Sequence, residues 1–125
     1  VVSIDARRNG RGYSVTTHSA TRTSGLDPVA WAQEAARLGA GEILLTAVDR
    51  DGTMEGYDLD LTSRVANAVD IPVIVSGGAG KLLDLAQGVT VGKASAVAAA
   101  SLFHFTDQSP IKAKAFLRRE EIPVR

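Results

Sequence analysis

The sequence has no cysteine, which excludes disulfides and thiolate metal sites and allows a reducing compartment. Nothing in it approaches the ~18 apolar residues of a membrane helix. No charged leader followed by an apolar stretch opens it. A membrane is therefore not an expected partner, and the cytoplasm is the expected location. The 14 basic and 14 acidic residues cancel, so the basic stripe that a nucleic-acid partner requires is missing. The longest charge cluster, Arg118 to Glu121, is of mixed sign and reads as a solvated helix end. The two histidines, His18 and His104, are not spaced as metal ligands, and no Gly-x-Ser-x-Gly elbow is present. Neither a metal nor a cofactor is expected. An initiator Met is also lacking, and Val1-Val2-Ser3-Ile4-Asp5 reads as a strand already under way, which suggests further sequence upstream.

What is present is a regular alternation. Four β-rich apolar runs fall at residues 1–5, 42–49, 71–77 and 94–101. They are largely apolar rather than strictly alternating, the expectation for parallel strands covered on both faces. The last is Ala-rich, and propensity alone would allow a helix there. Helical patterns separate the runs. Asp27-Pro28 is an N-cap with Pro at the first helical position, opening a segment that Gly39 closes. Val29 and Trp31 on that helix are expected to pack on the sheet or a neighbour. Residues 59–69 place Leu61, Val65 and Val69 on one face, and 81–89 repeat the pattern with Gly88 as a weak point. Ser109-Pro110 opens a last helix to about Arg119. Residues 10–17 add a short hairpin after the first strand.

The order β-α-β-α-β-α-β-α calls for parallel strands with crossover helices. An open four-stranded sheet and half of an eight-stranded barrel both fit. A flavodoxin-like protein would need a fifth strand. A whole (β/α)8 barrel takes ~250 residues, and this chain has 125. The expected fold class is α/β, a (β/α)4 half of a TIM (β/α)8 barrel, with residues 1–125 as one domain.

In parallel α/β folds chemistry gathers at the carboxyl ends of the strands. The first run ends in Asp5, placed either for acid–base work or as a loop cap. The second ends in Asp49-Arg50-Asp51-Gly52-Thr53. Asp49 and Arg50 could form a structural ion pair, whereas Asp51 stands where the loop begins. Gly52 would let backbone N–H groups approach an anion. The Asp-x-Asp-Gly pattern lacks the closing Glu of a calcium loop. The third run ends in Ser76-Gly77-Gly78-Ala79-Gly80, a turn whose bare N–H groups before a helix suit a phosphate. Its spacing is neither that of a P-loop nor that of a dinucleotide fingerprint. The fourth ends in Ala99-Ala100-Ser101, where a short helix could aim N–H groups at the same anion. Barrels often build a phosphate site from their last two strand ends. His18 lies in a polar loop, and His104, between Phe103 and Phe105, reads as a packed helix residue.

Taken together, the segments at 1–8, 39–46, 49–53, 56–58, 76–80 and 99–105 resemble the cyclase subunit of imidazole glycerol phosphate synthase, in that family's order and close to its spacing. The resemblance covers strand five through helix eight of that barrel. It implies a lyase of histidine biosynthesis that joins ammonia to a bis-phosphorylated substrate and closes an imidazole ring. It implies Asp5 as a catalytic acid/base and Asp51 as a supporting catalytic carboxylate. Ser19 and Thr46 would bind substrate, and Gly52, Gly77, Gly78, Ala100 and Ser101 would bind a phosphate. Glu42, at the opposite face, would belong to a charged gate for ammonia from a glutaminase subunit. The partner aspartate would lie in an N-terminal half-barrel. A chain without that half is expected to be inactive alone and to bind phosphate weakly. Its partners would be the N-terminal half or a second copy of itself, which would close a barrel. Residues 17–25 depart from the commonest biosynthetic form, where a glycine follows or replaces Ser19. Barrels of surface-polysaccharide synthesis that amidinate a sugar share the same framework and are an alternative, as is a phosphate-binding, self-associating fragment without catalysis.

Overall fold

The first strand runs well past Asp5. In the computed structural model, which describes residues 1–125, β1 spans Val2–Asn9. The extension comes from the hairpin. β2 (Gly12–Thr17) turns back along β1, with Ala6 opposite Val15 and Asn9 opposite Gly12, and β3 (Arg22–Thr23) adds a short outer strand. The antiparallel pairing thus begins where the parallel one runs out. On its other side β1 pairs in parallel with β4 (Ile43–Ala47), β4 with β5 (Val73–Ser76), and β5 with β6 (Ala96–Val97). The sheet order is β3-β2-β1-β4-β5-β6. The fourth strand is much shorter than residues 94–101 suggest, since it is paired on one side only and the chain turns into a helix at Ser101.

Helices follow each parallel strand: α1 (Pro28–Arg37), α2 (Leu59–Ala66), α3 (Leu82–Thr90), and the pair α4 (Ser101–Phe105) and α5 (Pro110–Arg119). The architecture is α/β, with the four parallel strands and following helices of half a (β/α)8 barrel. Three starts are capped by side chains, Asp27 accepting from Ala30 N at 2.9 Å, Asp58 from Leu61 N at 3.0 Å and Ser109 from Lys112 N at 3.2 Å. α2 stops three residues short of Val69, because the chain must extend before Pro72 to enter β5. Val69 still packs on the core from that turn.

Burial along the central strands alternates, which corrects the expectation of two covered faces. One face presents Ile4, Ile43, Leu45, Val73 and Val75, all buried under the helices with Ala32, Leu61, Val65, Leu85 and Leu117. The other presents Asp5, Leu44, Thr46, Ile74 and Ser76, each half-buried. Helices seal one side only, so the face that would line a barrel's interior stays partly open. Gly88, inside α3, gives room to its neighbours. A Cβ there would come within 3.0 Å of Val97 and 3.1 Å of the Tyr57 ring. Val29 packs on the first core cluster as expected, whereas Trp31 is 39% exposed.

Candidate functional site

At the carboxyl ends of the parallel strands the register sets three polar residues side by side, Asp5 opposite Thr46 and Thr46 opposite Ser76. All three point to the open face. The backbone carbonyl of Asp5 accepts from the buried Thr16 hydroxyl at 3.3 Å, while its carboxylate accepts no hydrogen bond within the chain. A carboxylate held on a strand and left unengaged is available to a ligand at this mouth.

Beside this row lies a cavity of about 150 Å³, formed by the turns at residues 76–79 and 98–101, with Asp51 at its rim. Apart from Asp51, its lining is glycine, alanine and serine. Gly78 sits at φ +109°, and a Cβ there would overlap the carbonyl oxygen of Gly56 and come within 3.1 Å of Arg50 Cβ. Only glycine lets the two loops approach so closely. The approach is fastened by a hydrogen bond from Gly56 N to Gly78 O, 2.8 Å. The next residue, Tyr57, donates its hydroxyl to Ala98 O at 2.8 Å. Residues 56 and 57 therefore clip the turn after β5 to the turn after β6. Burial, and then the charge of Asp84, push the Tyr57 hydroxyl well above the usual phenol range.

The free amides are those expected in the turn itself, but not at the start of the helix that follows. Gly80 N and Lys81 N donate to the buried Asp84 carboxylate at 2.9 and 3.0 Å, so the start of α3 is already occupied by its own acid. This corrects the reading of bare N–H groups at that helix end. The amides of Gly77, Gly78, Ala79, Ala99 and Ala100 instead donate to nothing in the chain. Their residues line the cavity, and a pocket with unengaged amides can accept an anion.

The remaining predicted residues fall in several places. Asp51, Gly77, Gly78, Ala100 and Ser101 line the cavity, and Thr46 stands in the polar row. Gly52 follows Asp51 in an exposed turn at φ +80° without lining the cavity. Ser19 is exposed at the hairpin tip, where His18, Ser19 and Ala20 all have φ between 54° and 63°. Glu42 is exposed just before β4, at the opposite end of the strands, and its carbonyl accepts from Val2 N at 2.9 Å. Asp49 accepts from Arg8 N at 3.3 Å, and the alternative of an Asp49–Arg50 ion pair is not formed. His104 is exposed against the edge of Phe105 rather than packed. Sequence reasoning missed Tyr57 and Asp84. The Gly-Tyr-Asp motif at 56–58 was the available signal for the first, and an Asp at the third helical position of α3 for the second.

The fold and its polar mouth define a class: a TIM-barrel unit with its open polar groups at the carboxyl ends of parallel strands. The sequence profile of the family described as "Histidine biosynthesis protein" matches residues 1–109. The chain belongs to that family, whose fold is the TIM barrel. No helix is long and apolar enough to cross a membrane.

Proposed function

We propose that the chain is the C-terminal half of the ammonia-dependent cyclase that forms imidazole glycerol phosphate, a lyase. In this reading it binds one phosphate of the substrate and supplies Asp5 as acid/base. The observation that carries it is the cavity of unengaged amides after β5 and β6, at the same sheet end as the free Asp5 carboxylate. Gly77, Gly78, Ala100 and Ser101 receive the phosphate, and Gly52 shapes the loop above it. Asp51, at the rim, stands next to the reacting part of the ligand and supports Asp5. Thr46 and Ser19 contact the substrate, Ser19 once the hairpin tip folds over the mouth. A phosphate anchored at one side holds a long ligand across the row, so that remote binding energy positions the reacting atoms. Glu42, at the other end of the strands, serves the entry of ammonia from a glutaminase subunit.

A single catalytic aspartate gives little turnover, and the second comes from an N-terminal half-barrel. The half-open face with Leu44 and Ile74 supports a partner there, either that half or a second copy. Turnover with ammonia as nitrogen donor tests the reading. The chain alone should be inactive within error, and addition of an N-terminal half should raise the rate by orders of magnitude. Substantial activity of the chain alone, unchanged by Asp5→Asn, would refute it. The self-associating, non-catalytic reading is favoured by the same open face. It gains if the complemented protein binds phosphate yet never turns over.

A further inference from the structure

The chain has two asparagines, and they are held in opposite ways. Asn67 is the C-cap of α2, and the amide that follows it, Ala68 N, donates to Val65 O at 3.0 Å. Asn9 is the exposed last residue of β1, paired with Gly12 across the two-residue turn Gly10-Arg11. The amide that follows it, Gly10 N, donates to no acceptor in the chain. Gly10 sits at φ +59° with open space where a Cβ would stand, so nothing hinders its nitrogen from approaching the Asn9 carboxamide. The Asn9–Gly12 rung ends the ladder, and terminal rungs open most readily. Arg8 and Arg11 flank the pair in sequence, and nearby cations favour the anion that an amide becomes on losing its proton.

We propose that Asn9 is a site of spontaneous covalent modification, at which the Gly10 nitrogen attacks the Asn9 side chain and ammonia leaves. The Gly10 amide gives its proton to solvent, and its nitrogen forms a bond to Asn9 Cγ. The Cγ–Nδ2 bond breaks, and Nδ2 departs as ammonia with a proton from solvent. The five-membered succinimide then takes up one water. Opening at one carbonyl gives aspartate, and opening at the other gives isoaspartate. The isoaspartyl product carries one more carbon in the main chain. It breaks the register of the last rung, and Arg8 opposite Tyr13 is the next pair in line. The flank that holds the hairpin to the fold thus ages from its tip. Asp51-Gly52 offers the same nucleophile, but cyclisation there expels water and takes it back, with no change of mass.

The experiment is incubation of the folded chain in neutral buffer, and in parallel in urea, followed by intact mass and by peptide mapping with a protease that spares arginine. The folded chain should gain a single dalton, in the peptide that holds Asn9, split between two products of equal mass. Conversion at Asn9 should be at least about tenfold faster than at Asn67. Gly10→Ala, whose side chain crowds the nitrogen, should slow it about tenfold, and Asn9→Gln, which would need a six-membered ring, should abolish it. Conversion in urea alone, conversion no faster at Asn9 than at Asn67, or a rate that Gly10→Ala leaves unchanged overturns the proposal. The first two of these are read in the native sequence, so a variant that fails to fold does not shield it.

Discussion

The two flanks of the parallel sheet treat their polar groups in opposite ways. At the hairpin flank, Tyr13 OH lies 2.6 Å from Arg8, 2.8 Å from Asp58 and 3.0 Å from Asp60, and the Arg8 guanidinium rests over the Tyr13 ring at 4.8 Å. Asp58 also caps α2, and Arg64 pairs with Asp60 at 3.0 Å. Burial, and then the hydrogen bond to Asp58, push the Tyr13 hydroxyl upward, while the Arg64 hydrogen bond holds the Asp60 carboxyl below its usual range. Each group of this cluster is spent on another. At the β5–β6 flank, five amides and no ion pair surround a cavity. Saturation marks the flank that holds the fold, and unspent donors mark the flank that can hold a ligand.

Substitutions can break this contrast. The largest effect is expected for Gly78→Ala, where a Cβ meets Gly56 O at a left-handed φ. A loss of about 3 kcal/mol or more in chemical denaturation should accompany loss of phosphate binding. Asp58→Ala removes a helix cap and the centre of the saturated cluster together. It should cost about 2–3 kcal/mol in denaturation, yet leave phosphate affinity per folded molecule unchanged. If affinity falls equally in both variants, the division between flanks is wrong.

Tyr57→Phe sharpens the comparison, because it cuts the clip between the two turns. About 1–2 kcal/mol should be lost, with weaker phosphate binding measured by calorimetry. The same side chain links stability to pH. The folded protein holds the Tyr57 proton more tightly than the unfolded chain, whose tyrosines ionise near pH ~10. The stability tied to that proton is complete below about pH 10 and declines as the pH rises further. Urea midpoints should therefore drop above pH ~10, and Tyr57→Phe should reduce the drop, leaving the part due to Tyr13. The smallest effect is a gain. Ala20→Gly relieves a left-handed alanine at the hairpin tip and should stabilise by about 0.5–1 kcal/mol, seen as a higher melting temperature.

Much of the frame was legible in sequence. Asp27-Pro28 and Ser109-Pro110 mark helix starts because capping chemistry is local, and the β-α order follows from punctuation between apolar runs. Strand limits were less legible. Asp5 looks like an end because the run turns charged there, whereas the hairpin pairing that prolongs β1 depends on residues that lie later in the chain. The site divides in the same way. Gly77, Gly78 and Ser101 announce a turn that can admit an anion. No local pattern reveals that Asp84 takes the first amides of α3, or that Tyr57 reaches Ala98, 41 residues away. His104 was misjudged since its aromatic neighbours suggest burial, but a five-residue helix buries only one side, that of Leu102.

The two-residue length of β6 carries a consequence for motion. That strand is held from one side by a handful of backbone bonds, so its amides should exchange with solvent sooner than those of β4, which is flanked on both sides. An anion gripped by the turns on either side of this seam would act as the missing rung. Occupancy would then be felt as slower exchange along the whole margin of the sheet, and the chain's least secure border would be the one that its ligand fastens.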